Sequence, residues 1–140
     1  MERIEDCLTF KLGKAYQQIN RLARLRLAPY EVTPSQFAVL KALWECDAQS
    51  GSELGERLRL DSATITGVVD RMERTQMVFR HPHPDDRRIN RVTLTTRGRE
   101  AEAELTRIMD ELNTDILASL ASAEASAFLA TLSRLADLDE

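Results

Sequence analysis

The stretch LDSATITGVVDRMERTQMVFR, residues 60–80, has the period of an amphipathic helix that gives way to a strand. Its apolar residues recur at helical spacing and predict one buried face: Ile65, Val68, Val69 and Met72. The opposite face lacks the Glu and Lys of an ordinary surface helix and carries instead Ser62, Ala63, Thr64, Thr66, Gly67, Arg71 and Arg74. Small side chains let another molecule approach the helix backbone, although a plain amphipathic helix with a cap also accounts for this pattern.

Three helices are predicted before this one. The first covers residues 3–28 and ends at Pro29, because proline removes a backbone donor and disfavours helix in the residue before it. Capping boxes at Thr33–Gln36 and Ser50–Glu53 begin the second and third helices. The fourth helix, within the opening stretch, is capped by Asp61 or Ser62.

After the fourth helix the period changes to that of strands. Residues 77–80 and 91–95 predict a hairpin, and the intervening HPHPDDRRIN predicts its long loop. Long helices follow over residues 97–120 and 124–138. The predicted fold class is mainly α with a small β-hairpin wing, since a small polar helix face followed by a hairpin is typical of a winged helix-turn-helix.

Charge is unevenly distributed along the 140 residues, whose formal net charge is −4. Residues 57–99 contain ten arginines and five acids, so this segment carries +5 and the remainder −9. A basic middle indicates a surface for a polyanion, and arginine forms forked contacts with phosphate or guanine. On charge alone, an ordinary solvated charge pattern remains an alternative.

Composition indicates a soluble, globular, cytoplasmic protein without a membrane partner. Hydrophobic residues make up 43% and charged residues 30% of the chain, and no run approaches the roughly 18 apolar residues of a membrane span. The N-terminal residues lack the apolar core of a signal peptide. Two cysteines, Cys7 and Cys46, are too few for a disulfide framework and are expected to be reduced. Cys46, near the end of the second helix, is expected to be structural.

The face of the fourth helix suits the major groove of double-stranded DNA. That groove is about 12 Å wide, and small side chains bring the helix close to the base edges. Hydroxyl groups of Ser62, Thr64 and Thr66 can bond to bases or phosphates. Arg71 and Arg74 lie further along the helix, where they can reach flanking phosphates.

The hairpin loop suits the adjacent minor groove. It places Arg87, Arg88 and Arg91 on or near its tip, and a narrow minor groove attracts arginine. Asp86 can pair with one of these arginines and fix its position. A solvated turn with surface ion pairs is the alternative.

Several short motifs follow one another along the chain. They are TPSQF at 33–37, LGERL at 54–58, LDSATIT at 60–66, VDRME at 69–73 and DDRR at 85–88, followed by VTLT at 92–95 and Gly98. Together they resemble the MarR family of bacterial winged helix-turn-helix transcription regulators over almost the whole chain. The pattern from DDRR to the glycine is the most specific of these motifs.

The resemblance implies a sequence-specific regulator that binds a pseudo-palindromic operator in double-stranded DNA as an obligate homodimer. It implies an N-terminal dimerisation helix (1–32), a winged helix-turn-helix DNA-binding region (33–96) and C-terminal dimerisation helices (97–140), intertwined into one domain per chain. The leucine and alanine content of the terminal helices favours a dimer, and packing within one chain is the alternative.

Many family members are repressors released by small phenolic or other lipophilic ligands, and the resemblance implies such a small-molecule effector. The predicted pocket wall consists of Leu12, Tyr16, Phe37, Leu40 and Trp44, apolar residues with few polar groups. Arg21 or Arg24 can meet an anionic group of the ligand. Core packing or an exposed face is the alternative for each of these residues, and it is the favoured one.

Two other sensing modes are alternatives. Cys7 is a candidate redox sensor, although the peroxide-sensing branch of the family places its cysteine directly before Phe-x-Leu, where this chain has Thr9. His81 and His83 are metal-ligand types. Prolines hold that loop extended on the expected DNA side, so no metal is predicted there.

The remaining alternative is a winged-helix protein-interaction module. Such a docking surface needs apolar anchors, whereas the predicted helix face and wing are small, polar and basic. No nucleophile–base pair or Gly-rich phosphate loop stands out in the sequence. We therefore expect neither enzyme activity nor a cofactor.

Overall fold

The computed structural model describes residues 2–138. Its elements, in chain order, are α1 (Leu8–Leu27), α2 (Pro34–Glu45), β1 (Gln49–Ser50), α3 (Gly51–Leu58), α4 (Ser62–Arg74), β2 (Val78–Pro82), β3 (Asn90–Leu94), α5 (Thr96–Glu100), α6 (Glu102–Leu117) and α7 (Ser122–Ala136). The predicted winged helix-turn-helix between long terminal helices is confirmed. The three-part division of the chain stays a prediction, and its outer ends, Met1 and residues 139–140, lie outside the described residues.

Side-chain caps begin the helices where the sequence predicts them. Thr33 Oγ1 accepts from the Gln36 backbone N–H at 3.2 Å, and the Gln36 side chain accepts from the Thr33 N–H at 3.0 Å. Ser50 and Glu53 form the same reciprocal pair at the start of α3. Asp61, rather than Ser62, caps α4. Each box satisfies two backbone donors that a helix leaves free at its start.

The structure differs from the prediction in its sheet. β1, which was not predicted, pairs Gln49 with Val92 and makes an antiparallel sheet of three strands in the order β1-β3-β2. A strand of two residues has no period that a sequence pattern can reveal. The hairpin is also longer than predicted, because Pro82 pairs with Asn90. Proline is tolerated there because β2 is an edge strand.

Two helix boundaries also differ. Cys7 has extended backbone angles (φ −70, ψ 122), so α1 begins at Leu8, five residues later than predicted, and a separate 3-10 helix covers Ile4–Asp6. The long helix predicted over 97–120 is divided at Ala101 into α5 and α6. Ala101 remains near the helical region (φ −73, ψ −13), so the direction of the chain is largely kept.

The core lies between α2, α3, α4, the inner face of the sheet and the start of α6. Its largest fully buried side chains are Leu27, Val39, Leu40, Leu43, Leu54, Val68, Val69, Met72, Val78, Leu105 and Leu112. The four apolar residues of α4 are all buried, as the sequence predicts. Their burial fixes which face of α4 points outward.

The terminal helices keep large apolar side chains exposed. On α1 these are Leu8, Leu12, Tyr16, Ile19 and Leu25, and on α7 they are Phe128, Leu129, Leu132 and Leu135. Contiguous exposed apolar surface of this kind marks an interaction site. Within residues 2–138 no single helix is long and apolar enough to cross a membrane; Thr96–Leu117 and Ser122–Ala136 meet that requirement only as a pair, bent by 113°.

Candidate nucleic-acid interface

The outward face of α4 carries the predicted contact residues. Ser62, Ala63, Thr64, Thr66, Arg71 and Arg74 are exposed, and Gly67 is half-buried. A Cβ atom at Gly67 would meet only Nη1 of Arg71, at 3.5 Å. The guanidinium of Arg71 therefore lies over Gly67, and the helix surface beside it is open to another molecule.

Asp61 orders the first turn of α4. Its Oδ1 accepts from the Thr64 N–H at 2.8 Å, and its Oδ2 accepts from the Thr64 hydroxyl at 3.0 Å. Both hydrogen bonds lower the pKa of the Asp61 carboxyl, and the bond from the backbone N–H has the larger effect. The Thr64 donor is thus used within the protein, whereas the hydroxyls of Ser62 and Thr66 make no hydrogen bond within residues 2–138.

Arg80, which the sequence analysis missed, ties the wing to α4. From β2 its Nη1 pairs with Asp70 at 2.8 Å and also with Glu73, and its Nη2 donates to the Thr66 carbonyl at 3.3 Å. The Arg80 side chain is only 25% exposed. Asp70 and Glu73, three residues apart on one helix, indicate a basic partner, but the sequence does not show which of the ten nearby arginines pairs with them.

The wing loop is closed by its own hydrogen bonds. The His83 N–H donates to the Ile89 carbonyl at 2.7 Å. Arg88 donates Nε and Nη2 to the two carboxyl oxygens of Asp86 at 3.0 and 2.9 Å, and this pairing lowers the pKa of Asp86. Arg87 and Arg88 are exposed at the tip, so the loop presents one fixed and one unpaired arginine among the described residues.

Arg91 lies in β3 rather than at the loop tip, and its Nη2 is 2.7 Å from Nε2 of His83. His81 Nε2 lies 2.7 Å from the Thr93 hydroxyl. Both histidines are therefore held by the wing. In the described part of the chain, no group of three or more His, Cys, Asp or Glu side chains is placed to hold a metal ion.

The residues predicted to line an effector site occupy different environments. Leu40 is fully buried, while Leu12 and Tyr16 are 40% and 69% exposed on α1. Phe37 and Trp44 pack edge to face, with ring centroids 6.0 Å apart. An effector site formed by these five residues stays a prediction.

The two cysteines are free thiols. Cys7 is half-buried just before α1, outside the helix. Cys46, expected to be structural, is exposed at the end of α2.

Sequence comparison identifies relatives along most of the chain. The model of the MarR family matches residues 32–89, from two residues before α2 to the wing loop. The chain is similar to the HTH-type transcriptional repressor NicR of Pseudomonas putida, 33% identical over 92% of this chain and 82% of NicR. Two other curated regulators are matched over only 60% and 50% of their own lengths.

Solved structures match the fold from end to end. BpsR of Bordetella bronchiseptica, described with a mechanism for regulation of its DNA binding by 6-hydroxynicotinic acid, has a TM-score of 0.92 at 27% identity, covering 99% of both chains. A MarR variant from E. coli complexed with operator DNA has a TM-score of 0.85 at 26% identity, covering 91% of this chain and 92% of that one.

Proposed function

The chain belongs to the MarR family of DNA-binding transcription regulators, and from this premise we propose that it is a homodimeric cytoplasmic repressor released from its operator by a small aromatic acid. The observation that carries the proposal is the open face of α4 beside a wing that presents arginines. Such a pair can occupy a major groove and the minor groove next to it.

The proposed contacts divide between the two grooves. In the major groove they are Ser62, Ala63, Thr64, Thr66, Gly67, Arg71 and Arg74; in the minor groove or on phosphates they are Arg87, Arg88 and Arg91. Hydroxyls and small side chains on α4 read the base edges, and the arginines fix the register through the backbone. Arg91 must exchange its contact with His83 for a contact with DNA.

The proposed dimer rests on the exposed faces of α1 and α7. The apolar side chains of α1 and α7 need a partner surface. The charge of α1 is also opposite to that of residues 102–138. α1 contains five basic residues and no acid, whereas residues 102–138 contain seven acids and two arginines. Arg26 of α1 already pairs with Asp115 of α6 within one protomer. A second copy of the chain supplies a cover for the apolar faces that remain exposed, and two-fold symmetry then matches a pseudo-palindromic operator.

Replacing Leu132 by glutamate is expected to shift the protein towards monomer, because the substitution places a charge in the apolar face of α7. Sedimentation velocity at several protein concentrations measures the shift. Ala130→Glu is the matched control, since residue 130 lies on the opposite side of the helix. Equal association of both variants would show that this face does not form the dimer.

The proposed effector class is carried over from similar proteins. NicR is a repressor by name, and 6-hydroxynicotinic acid regulates DNA binding by BpsR. A one-ring hydroxylated aromatic acid is therefore the proposed effector of this chain.

The test of the proposed function is fluorescence anisotropy with DNA from upstream of the gene and a scrambled duplex. We expect tight binding to the first duplex alone, and release by 6-hydroxynicotinate, 4-hydroxybenzoate or salicylate. Equal, weak binding to both duplexes at every salt concentration would favour a protein-docking winged helix and contradict the proposal.

Arg88→Ala is expected to weaken DNA binding on all sequences rather than change base preference, because an arginine at the wing tip contacts backbone or groove charge. The slope of log affinity against log salt should fall by about one for each protomer. The matched control is Arg107→Ala, which removes an exposed arginine from α6. An unchanged slope for Arg88→Ala would contradict the role of the wing.

A further inference from the structure

The side chain of His83, in the wing loop, holds Arg91, one of the arginines proposed to contact DNA. Nη2 of Arg91 lies 2.7 Å from Nε2 of the imidazole, and the Asp85 backbone nitrogen lies 3.0 Å from Nδ1. Arg91 is half-buried in β3 and forms no ion pair with any other part of residues 2–138. Its guanidinium is therefore held in the wing by an imidazole, whose charge can change, rather than by a carboxylate.

Both contacts depend on the protonation state of the imidazole. A neutral ring has one nitrogen lone pair and can accept from one of the two donors, whereas an imidazolium has two N–H groups and can accept from neither. A proton that His83 takes up from water therefore removes the hydrogen bond from Arg91 and leaves two positive groups 2.7 Å apart. Like charges at that distance repel each other, so protonation of His83 drives the guanidinium away from the ring.

An acid on α3 favours the proton that Arg91 opposes. A hydrogen bond from the Ser50 N–H lowers the pKa of the Glu53 carboxyl most, and the charges of the two wing residues, Arg91 and then His83, lower it further. Glu53 is therefore within electrostatic range of both basic groups, and it stabilises a positive charge on either of them.

The wing loop contributes a second acid. Hydrogen bonds from Arg88 lower the pKa of the Asp86 carboxyl most, and the charge of His83 lowers it further. Asp85, the neighbour of Asp86, is exposed to solvent and meets the ring with its backbone rather than with its carboxylate. The ring thus lies between one guanidinium that opposes its protonation and acids that favour it.

His81, in β2, lies opposite Arg91 in the sheet but is held by other groups. Its Nε2 lies 2.7 Å from the Thr93 hydroxyl, and its ring packs on Phe79 with the ring centroids 5.6 Å apart. His81 therefore has the same titratable ring as His83 without an arginine partner.

We infer that operator binding is coupled to the protonation of His83: the neutral imidazole retains Arg91 in the wing, and the imidazolium releases it to the DNA backbone. This inference rests on the proposed function and adds a pH-dependent step to the wing. Histidine is the side chain whose charge ordinarily changes between about pH 5 and 8, a range in which guanidinium groups keep their charge.

The direction of the pH effect follows from the exchange of partners. When Arg91 leaves His83 for DNA, the group that opposes the proton departs, and the phosphates that approach the wing favour a positive ring. The complex therefore takes up protons at His83, and by reciprocal linkage the operator affinity rises as the pH falls. One proton for each wing limits the rise to about tenfold per pH unit for one protomer and about a hundredfold for the dimer.

The coupling is tested by fluorescence anisotropy of the full chain on the duplex from upstream of the gene, between about pH 5.5 and 7.5 and at several salt concentrations. His83→Gln replaces the titrating ring by an uncharged amide, and Arg91→Gln removes the group that is released. His81→Gln is the matched control, since it makes the same change at the other of the two histidines. Circular dichroism at each pH checks the fold of every variant, and Arg91→Gln decides the question if His83→Gln does not fold.

We expect the wild type and His81→Gln to bind the operator more tightly as the pH falls. Their slope of log affinity against log salt should steepen by about one for each protomer, because Arg91 gains a phosphate contact. His83→Gln and Arg91→Gln should show neither change.

Wild-type pH dependence in His83→Gln, or its loss in His81→Gln, would overturn the assignment to His83. Wild-type pH dependence in Arg91→Gln would mean that the imidazolium itself binds phosphate, and would overturn the release of Arg91. A rise in affinity without a steeper salt slope would overturn the release as well, since the guanidinium then turns to Glu53 instead of DNA. These outcomes leave the proposed function standing, whereas a wild type that binds the upstream and scrambled duplexes equally weakly at every pH would overturn both proposals.

Discussion

Gly98→Ala is expected to destabilise the protein by about 3 kcal/mol or more, the upper part of the range for overpacking a core. A Cβ atom at this position would lie 2.2 Å from the Met77 carbonyl oxygen and 3.2 Å from the Leu94 side chain. That oxygen cannot move aside cheaply, because it already accepts a hydrogen bond from the Thr95 N–H at 3.0 Å. The Gly98 carbonyl is itself fixed by Trp44 Nε1, at 2.9 Å.

Urea unfolding measures this loss, with fluorescence of the single tryptophan as the signal. Protein concentration is held constant, because dimer stability depends on it. Gly51→Ala is the matched control: its Cβ would meet only Ile65, at an ordinary 3.8 Å, so we expect a change within about 1 kcal/mol. Equal unfolding midpoints for the two variants would show that the chain around Gly98 can shift without cost.

Local signals predicted most of the fold. The boxes at Thr33–Gln36 and Ser50–Glu53 satisfy helix starts with side chains three residues apart, so a short window contains the whole interaction. β1 was not predicted because Gln49 pairs with Val92, which is far away in the sequence. Pairing at that distance is decided by how α2 and the sheet pack, which no local period records.

The candidate site divides in the same way. The outward face of α4 could be predicted, because it is the complement of a buried face with a clear helical period. Arg80 could not, since its choice of Asp70 and Glu73 depends on the approach of β2 to α4.

Arg80→Gln is expected to lower operator affinity about tenfold for each protomer, and therefore about a hundredfold for a dimer. Arg80 holds β2 against α4 and neutralises Asp70 and Glu73, which are 46% and 35% exposed. Without it, two uncompensated carboxylates remain beside the proposed DNA interface and would repel the phosphates, and the helix and wing lose their fixed spacing. Arg99→Gln, which removes a weaker ion pair on α5 at 3.7 Å, is the matched control and should bind operator as the wild type does.

Arg80→Lys separates geometry from charge. A lysine keeps the positive charge, but one ammonium cannot reach Asp70, Glu73 and the Thr66 carbonyl as a planar fork does. We expect an intermediate affinity, with a slope of log affinity against log salt like that of the wild type, because the slope counts neutralised phosphates and Arg80 contacts none in this arrangement. Wild-type affinity for Arg80→Lys would mean that charge alone is needed. A slope reduced as in Arg88→Ala would mean that Arg80 leaves its carboxylates and binds DNA directly.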